Sequence, residues 1–439
     1  MAARLRSQLR SGAVKVLLVS FFFPPAGGGG VQRALKLASH LPALGIETHV
    51  LAPDDPRWVH GDGELPLPTK AWVHRARFVG PSSRRPAEEL RGKKGLDYWA
   101  TRAALTPQRL LVPDPKVTWN LTAIPAAVRL VREHGIDVVI TTSPPPSVHI
   151  VGAAVKRATG VPWVADLRDS IAANPHRRAE SAAVRLKERA GASVLGLVAR
   201  RADAVVAVSE AIAQELRALE PAGPVQVVPN ACDYEDFEGL EYRPSDRFRI
   251  THAGSFFGKR TPRPFLSALA DSGLDIVARF VGDFRSTDRE WAEALGLGDR
   301  LELIPYTTHS RALALERDSE ALLLLIPESG GRGRGVLSGK LFEYLAAERP
   351  ILAAVPPDGE AARLLRETGA GIVVAPEDTD GIGAALEGLV ARWKSGALEQ
   401  PPLSGELRER LSRRARTEEL VEILQSLPPA ARAAAQAAT

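Results

Sequence analysis

The stretch that decides the fold is 339–355, Gly-Lys-Leu-Phe-Glu-Tyr-Leu-Ala-Ala-Glu-Arg-Pro-Ile-Leu-Ala-Ala-Val, which predicts a short helix that runs into a buried strand. Lys340 and Glu343 stand three positions apart and therefore share a face in the first helical turn. Free amide groups at a helix start, together with a lysine, suit a phosphate, and a carboxylate one turn later suits sugar hydroxyls. The alternative is a surface helix on which the two side chains form an incidental ion pair.

Short apolar runs like the one that closes this stretch recur along the chain, between stretches with a helical pattern. They predict strands at 14–19, 48–52, 138–142, 161–165, 204–208, 225–228, 248–253, 276–281, 301–304, 321–326, 351–355 and 372–374. Continuous apolar strands separated by helices indicate parallel sheets that are covered on both faces. The predicted fold class is therefore α/β, with two strand–helix series of similar size.

The two series meet at 234–247, a polar stretch that contains a proline. A chain of 439 residues is too long for one core, so we predict a domain boundary there, dividing 1–240 from 241–439. The segment 53–116 is rich in proline and glycine, and we predict irregular loops that serve as a lid or an acceptor wall.

The composition excludes several classes of protein. The longest apolar runs are about seven residues, far short of the ~20 that span a bilayer, and no signal peptide is visible, so we expect a cytoplasmic protein. A single cysteine, Cys232, excludes an intramolecular disulfide and a cysteine-rich metal site, so neither zinc nor redox chemistry is expected.

The chain carries 57 basic and 52 acidic residues, a net charge of +5. Basic clusters at 4–10 and 84–94 would suit a diphosphate or peripheral association with anionic lipid at the inner face of the membrane, and solvated loops are the alternative. Neither cluster is interleaved with aromatic residues, which argues against a nucleic-acid partner.

Four consecutive glycines, 27–30, follow the first predicted strand and open a helix, where a backbone can closely approach a phosphate or a sugar. The dinucleotide-binding pattern Gly-x-Gly-x-x-Gly fails here. Its last position falls on Gln32 or Arg33, depending on the glycine from which it is counted.

Three polar side chains, His149, Asp166 and Asp169, follow predicted strands of the first series. Side chains at the carboxyl ends of parallel strands face the crevice in which ligands bind. The structural alternatives are a helix cap or a salt bridge with Arg168 for the aspartates, and a packed, hydrogen-bonded core position for His149.

A second glycine-containing turn, 253–260, follows the first strand of the second series and ends in Lys259 and Arg260. A cation about 4 Å from a phosphate charge could contribute about 4 kcal/mol at an effective dielectric of 20. That exceeds the ~0.3–1 kcal/mol of a helix dipole, so the cations would dominate diphosphate binding. Lys259 is the first choice for this role and Arg260 the second.

Together these motifs resemble retaining GT-B glycosyltransferases of family 4, of the polysaccharide type, over roughly 14–390. The strongest match is 339–350, where members of the family have the sequence Ser-Lys-Leu-Phe-Glu-Tyr-Leu-Ala-Ala-Gly-Arg-Pro. Glu348 replaces the usual glycine here. The resemblance implies two Rossmann-like domains facing across a cleft, with a nucleotide diphosphate-sugar donor in the second domain. A saccharide, lipid-linked or small-molecule acceptor would lie in the first.

The resemblance also implies roles for single residues and no requirement for a metal ion or a cofactor. The implied catalytic residues are Lys259, Asp166, Asp169 and His149, and the implied donor-binding residues are Gly28, Gly29, Gly254, Ser255, Arg260, Gly339, Lys340, Leu341 and Glu343. The implied process is polysaccharide or lipid-linked oligosaccharide assembly.

One position departs from the family pattern. Many relatives carry two glutamates eight positions apart, and the second matches Glu343, but Gly335 stands where the first would be. Two alternatives to a transferase therefore stay open: a nucleotide-sugar epimerase of the same architecture, and a catalytically silent partner subunit that binds nucleotide sugars.

Overall fold

A computed structural model describes residues 14–55, 60–80, 95–171, 182–256, 259–328, 333–398 and 402–427. The basic clusters at 4–10 and 84–94 lie outside these ranges. The strands of the described residues form two parallel sheets. They are β1 (Lys15–Ser20), β2 (Glu47–Pro53), β3 (Trp72–Ala76), β4 (Val138–Ser143), β5 (Trp163–Leu167), β6 (Ala204–Ala207), β7 (Val225–Val227), β8 (Phe248–Ala253), β9 (Ile276–Val281), β10 (Leu301–Ile304), β11 (Ala321–Leu325), β12 (Ile351–Ala354) and β13 (Gly371–Val374).

Helices alternate with these strands and cover both faces of each sheet. They are α1 (Gly29–His40), α2 (Gly95–Leu110), α3 (Asn120–His134), α4 (Val148–Thr159), α5 (Ala182–Arg201), α6 (Glu210–Arg217), α7 (Arg263–Asp271), α8 (Ser286–Ala294), α9 (His309–Arg317), α10 (Gly339–Ala347), α11 (Glu360–Thr368), α12 (Thr379–Lys394), α13 (Gly405–Arg410) and α14 (Arg413–Ser426). None of the described helices is both long and apolar enough to cross a membrane.

The first sheet has the strand order β3-β2-β1-β4-β5-β6-β7 and the second β10-β9-β8-β11-β12-β13. The order reverses between β1 and β4 in the first sheet and between β8 and β11 in the second. Open parallel sheets bind ligands at the carboxyl ends of their strands, beside such a reversal. The predicted fold class, two Rossmann-like parallel sheets, is confirmed, and every predicted strand is present within a few residues of its expected limits.

The prediction for 53–116 was wrong in part. This segment contains the strand β3 and the helix α2 in addition to loops. β3 is the edge strand of its sheet and its side chains are mostly accessible, with Trp72 63% exposed. An edge strand of this kind lacks the continuous apolar run by which the buried strands could be predicted.

The last helix of the chain lies against the first sheet. Leu420, Val421, Ile423 and Leu424 of α14 share one hydrophobic core with α1 and with strands β1, β2 and β4. The chain thus leaves the first sheet at Val227, begins the second at Phe248, and ends by returning to the first.

Glycines inside two helices provide a matched test of core packing. A Cβ at Gly152 of α4 would lie 2.1 Å from Nε1 of the buried Trp163, whereas a Cβ at Gly388 of α12 would meet nothing within 4 Å. We expect Gly152→Ala to lower the free energy of unfolding by about 1–3 kcal/mol, because the indole has no room to move. Gly388→Ala should raise it by about 0.5–1 kcal/mol through helix propensity. Urea unfolding measures both, and equal effects would contradict this packing.

Candidate functional site

The glycine loop of the first domain reaches the second domain. α1 begins at Gly29, and Gly28 before it has φ +87°, a left-handed conformation that glycine adopts without strain. A Cβ at Gly27 would lie only 2.0 Å from the hydroxyl oxygen of Tyr306, and the Gly28 amide donates a hydrogen bond to that hydroxyl. The loop therefore packs its backbone directly against a side chain of the other domain.

The segment 60–64 of the first domain makes further contacts with the second domain. These are the His60 ring stacked at 4.0 Å on Tyr306, His60 Nε2 at 2.9 Å from Asp283 Oδ2, the His309 amide donating to Asp62 Oδ2 at 2.8 Å, and the Ser310 hydroxyl donating to Glu64 Oε2 at 2.6 Å. The two domains thus touch along one side of the cleft, between the glycine loop and the start of α9.

The two motifs predicted to bind the donor meet in space. α10 begins at Gly339, and Leu341 anchors its first turn in the core. A Cβ at Gly254, which has φ +143°, would lie 2.1 Å from the amine of Lys340. The lysine therefore lies directly on the backbone of the turn after β8, an approach that only a glycine permits. Ser255, the next residue, bonds to Asp283 through its hydroxyl at 3.1 Å.

A second cation accompanies Lys340. Arg260 is buried, with 8% of its surface exposed, and burial lowers the pKa of its guanidinium. Burial also lowers the pKa of Lys340, and the charge of Arg260 lowers it further, while Glu343 and Glu316 oppose this. Lys259 is half-buried at the preceding position. The geometry favours Arg260, the second choice from the sequence, as the cation that faces Lys340.

Glu343 bonds to a histidine that the sequence analysis did not identify. Its Oε1 lies 3.2 Å from His309 Nε2. Burial alone would raise the pKa of Glu343, but the hydrogen bond and charge of His309 and the charge of Lys340 hold it below its ordinary value. Burial would lower the pKa of His309, and Glu343 raises it above its ordinary value instead. His309 follows the strand β10, so the rule that indicated His149 applies to it equally.

A second buried carboxyl group lies beside this pair. Glu316 of α9 is 1% exposed, and its Oε2 has no hydrogen-bond partner among the described residues. Burial, reinforced by the charge of Glu343, raises the pKa of Glu316 well above its ordinary value. The group around Glu343 therefore combines two carboxyl groups whose pKa values are shifted in opposite directions with two basic side chains, His309 and Lys340.

Asp166 is bound by an arginine from another element. Arg33 of α1 donates to both of its carboxylate oxygens at 2.8–3.2 Å, and the Thr142 hydroxyl donates to Oδ2 at 2.6 Å. Arg33 also donates to the carbonyls of Val228 and Pro229. Burial would raise the pKa of Asp166, but Arg33 holds it below its ordinary value. A salt bridge was the alternative for this residue, although the partner is Arg33, not Arg168.

The neighbouring Asp169 is exposed in the loop after β5. The intervening Arg168 donates to the carbonyls of Ser143, at 2.6 Å, and Gly30, at 2.8 Å. Arg168 thereby ties the ends of β4 and β5 to the first turn of α1. The carboxylate of Asp169 lies at the carboxyl edge of the first sheet, where the catalytic prediction requires it.

His149 is a core residue. It is 0% exposed, its Nδ1 lies 2.8 Å from the Thr141 hydroxyl, and that hydroxyl accepts a hydrogen bond from Trp163 Nε1 at 2.7 Å. Burial lowers the pKa of His149 to about 4, so the ring is neutral at physiological pH. This geometry matches the packed, hydrogen-bonded alternative and gives the ring no access to a substrate.

Contact between the domains accounts for the missing first glutamate. A Cβ at Gly335 would lie 2.2 Å from Cβ of Ala211, which belongs to α6 of the first domain. A glutamate at 335 could not be accommodated in this arrangement, because the first domain occupies the space. The departure from the family pattern therefore has a steric reason within this chain.

A cavity of about 470 Å³ opens between the domains beside the Glu343–His309 pair. Its walls come from α1, from the loop after 61 and from the start of α9, and they include Gln32, Lys36, Asp62, His309 and Ser310. The amide of Gln32 is buried, and neither its nitrogen nor its oxygen has a partner among the described residues. Gln32 thus contributes to the cavity wall, while both polar atoms of its amide are shielded from solvent.

Comparison with known proteins gives one match by sequence family and many by fold. Residues 28–231 match the family described as glycosyl transferase 4-like domain. No curated protein sequence is similar enough to this chain to count as a match.

Three solved structures illustrate the likeness of fold, and each is aligned with 94% of this chain. Sucrose-phosphate synthase from Thermosynechococcus elongatus has 16% identity, 98% of its own chain aligned and a TM-score of 0.65. HepE from Anabaena, in complex with UDP and glucose, has 17% identity, 100% of its own chain aligned and a TM-score of 0.62. UDP-GlcNAc 2-epimerase from Methanocaldococcus jannaschii has 12% identity, 99% of its own chain aligned and a TM-score of 0.52. At these identities the likeness establishes the GT-B fold.

The Arg33–Asp166 ion pair provides a test of structural against catalytic roles. We expect Arg33→Gln to lower the free energy of unfolding by about 3–5 kcal/mol, because it leaves a buried carboxylate unpaired. Asp166→Asn should also destabilise the protein, and the double variant should lose less than the sum of the two. Urea unfolding of the four proteins measures this coupling. If Asp166→Asn unfolds at the same urea concentration as the wild type, Asp166 does not stabilise the fold through its pair with Arg33.

The His309–Glu343 pair predicts a defined pH dependence. Because the pKa of His309 is raised from 6.5, its contribution to stability is complete below pH 6.5 and is lost as pH rises through the raised value. Because the pKa of Glu343 is lowered from 4.5, its contribution is present above pH 4.5 and is lost as pH falls through the lowered value. Glu343→Gln removes the negative charge that opposes burial, so the pKa of His309 should fall below 6.5. NMR titration of the imidazole measures it, with His40 as the internal control.

Proposed function

We propose that this protein transfers a sugar from a nucleotide diphosphate donor to an acceptor hydroxyl with retention of anomeric configuration. Residues 28–231 match the glycosyl transferase 4-like domain family, and the described chain has the GT-B fold. The observation that carries the proposal is the meeting of Lys340 with the Gly254 turn, with Arg260 close by and the Glu343–His309 pair one helical turn away.

The diphosphate would lie between the start of α10 and the turn after β8. Lys340 and Arg260 would supply positive charge as the leaving diphosphate develops its negative charge, and the free amides of α10 would add hydrogen bonds. Both cations are held in a poorly hydrated place, which makes an anionic partner favourable. No divalent cation is required in this assignment, because protein cations neutralise the diphosphate.

Glu343 would accept hydrogen bonds from hydroxyl groups of the donor, either on the ribose or on the sugar. Its lowered pKa keeps it ionised at physiological pH, so it acts as an acceptor alone. Burial raises the pKa of the neighbouring Glu316 well above its ordinary value, which disfavours a second negative charge beside the diphosphate. His309 would hold the Glu343 carboxylate in place.

The acceptor would enter from the first domain, through the cavity lined by Gln32 and Asp62. The amide of Gln32, whose two polar atoms are buried, would have to turn toward the cavity, and it could then both donate to and accept from a sugar hydroxyl. A saccharide or lipid-linked oligosaccharide therefore suits the cavity, in keeping with a place in polysaccharide assembly at the membrane surface.

Two rivals are separated by product analysis. An epimerase of the same fold would isomerise the donor sugar without any acceptor, and a silent partner subunit would bind the donor and convert nothing. We expect a donor panel, chosen by thermal shift with UDP-sugars first, to give transfer only when an acceptor is added. NMR of the product should show the anomeric configuration of the donor.

Donor affinity tests the assignment of single residues. Charged hydrogen bonds contribute ~1.5–3 kcal/mol, so Glu343→Ala should weaken binding of the donor roughly tenfold to a hundredfold. Glu343→Gln, which keeps one acceptor oxygen, should lose less. Lys340→Ala should weaken binding of UDP alone by a similar factor, since it removes a diphosphate contact. Isothermal titration calorimetry measures all three.

Matched controls belong to the same experiment. Lys394→Ala removes an exposed lysine at the end of α12 and should leave affinity unchanged. Arg260→Gln should weaken UDP binding more than Lys259→Gln does. Equal affinity in the wild type, Lys340→Ala and Glu343→Ala would remove the donor site from this position.

A further inference from the structure

Three histidines meet on the first sheet, away from the cleft. His49 on β2, His74 on β3 and His134 at the end of α3 each place a ring nitrogen within 4.8 Å of the others. The chain contains nine histidines, so a third of them converge on one point. His49 is buried, whereas His74 and His134 are half-buried, so the cluster can be reached from the surface.

We propose that His49, His74 and His134 bind a divalent transition metal ion, zinc in the first place, that fastens the edge strand β3 to β2 and to α3. The sequence expectation of no zinc rested on the single cysteine. It did not consider histidines, which lie 25 and 60 positions apart and are brought together only by the fold.

The distances suit a metal. Two nitrogens bound to one tetrahedral zinc, each about 2.0–2.1 Å from it, lie about 3.4 Å apart. His49 Nδ1 and His74 Nε2 are 3.0 Å apart, a hydrogen-bonding distance that is also close to that separation. Imidazole is a preferred ligand of zinc, copper and nickel, and three imidazoles leave one coordination position for water.

A carboxylate orients the buried ligand. Glu47 Oε1 lies 3.1 Å from His49 Nε2, and Lys15 holds the same oxygen at 3.1 Å. With a proton on Nε2 donated to Glu47, the lone pair of His49 Nδ1 points at His74. Metal-bound histidines usually donate their second N–H to such a carboxylate, which fixes the ring and its tautomer.

The helix also favours a cation at this place. His134 is the last residue of α3, whose final carbonyls carry partial negative charge. His49 lies near the amino end of β2, His74 at the middle of β3 and His134 at the helix end that precedes β4, whereas ligands of the cleft bind at the carboxyl ends of the strands. The proposed metal is therefore structural and takes no part in sugar transfer.

Zinc binding to the metal-stripped, full-length chain without a histidine tag tests the proposal. Calorimetry should show one equivalent of bound Zn²⁺, weakened on the order of 100-fold or more in His74→Gln and in His134→Gln. Glu47→Gln should weaken binding roughly tenfold to a hundredfold. His40→Gln, outside the cluster, is the matched control and should bind as the wild type does.

Two further readouts separate a built site from weak surface binding. Zn²⁺ should raise the Tm of the wild type and leave that of His74→Gln unchanged. Co²⁺ should give the intense visible bands of a tetrahedral site in the wild type, and these bands should be lost in His134→Gln. Absence of saturable binding, or equal binding and Tm shifts in wild type and His74→Gln, would overturn the proposal.

Discussion

The buried ion pair between Arg33 and Asp166 fixes the arrangement on which the site depends. One guanidinium joins the helix α1 to the strand β5 and to the carbonyls of Val228 and Pro229, where the chain leaves the first sheet. A buried carboxylate without its partner costs several kcal/mol, so α1 cannot shift relative to these elements. The ion pair thereby holds the glycine loop before α1 in the position in which its backbone contacts Tyr306.

Close backbone approach positions Lys340 in the second domain. Gly254 and Gly282 lie so close together that a Cβ on Gly282 would be 2.9 Å from the backbone of Gly254 and Ser255. The hydroxyl of Tyr344 accepts a hydrogen bond from the Ala253 amide at 3.0 Å and so ties α10 to the end of β8. Lys340, on that helix, is therefore placed on the turn by the packing of its neighbours.

The sequence was sufficient for the buried strands and for the helix that carries Lys340, because buried parallel strands are continuous apolar runs and motifs at their carboxyl ends must converge. It was insufficient for side-chain pairing. The partner of Asp166 lies 133 positions away, and nothing local distinguishes the core role of His149 from a catalytic one. His309 was missed although it follows a strand, and the edge strand β3 was missed because exposed strands lack the apolar signal.

The return of α14 to the first sheet has a consequence for the order in which the protein can be made. Leu420, Ile423 and Leu424 complete the hydrophobic core that contains α1, and they leave the ribosome long after the strands of the first sheet. At 5–20 residues per second, the roughly 180 residues between 240 and 420 take about 10 to 40 s to synthesise. During that time, part of the apolar surface around α1 is exposed on the nascent first domain. A chaperone can bind there, or two nascent chains can aggregate through it.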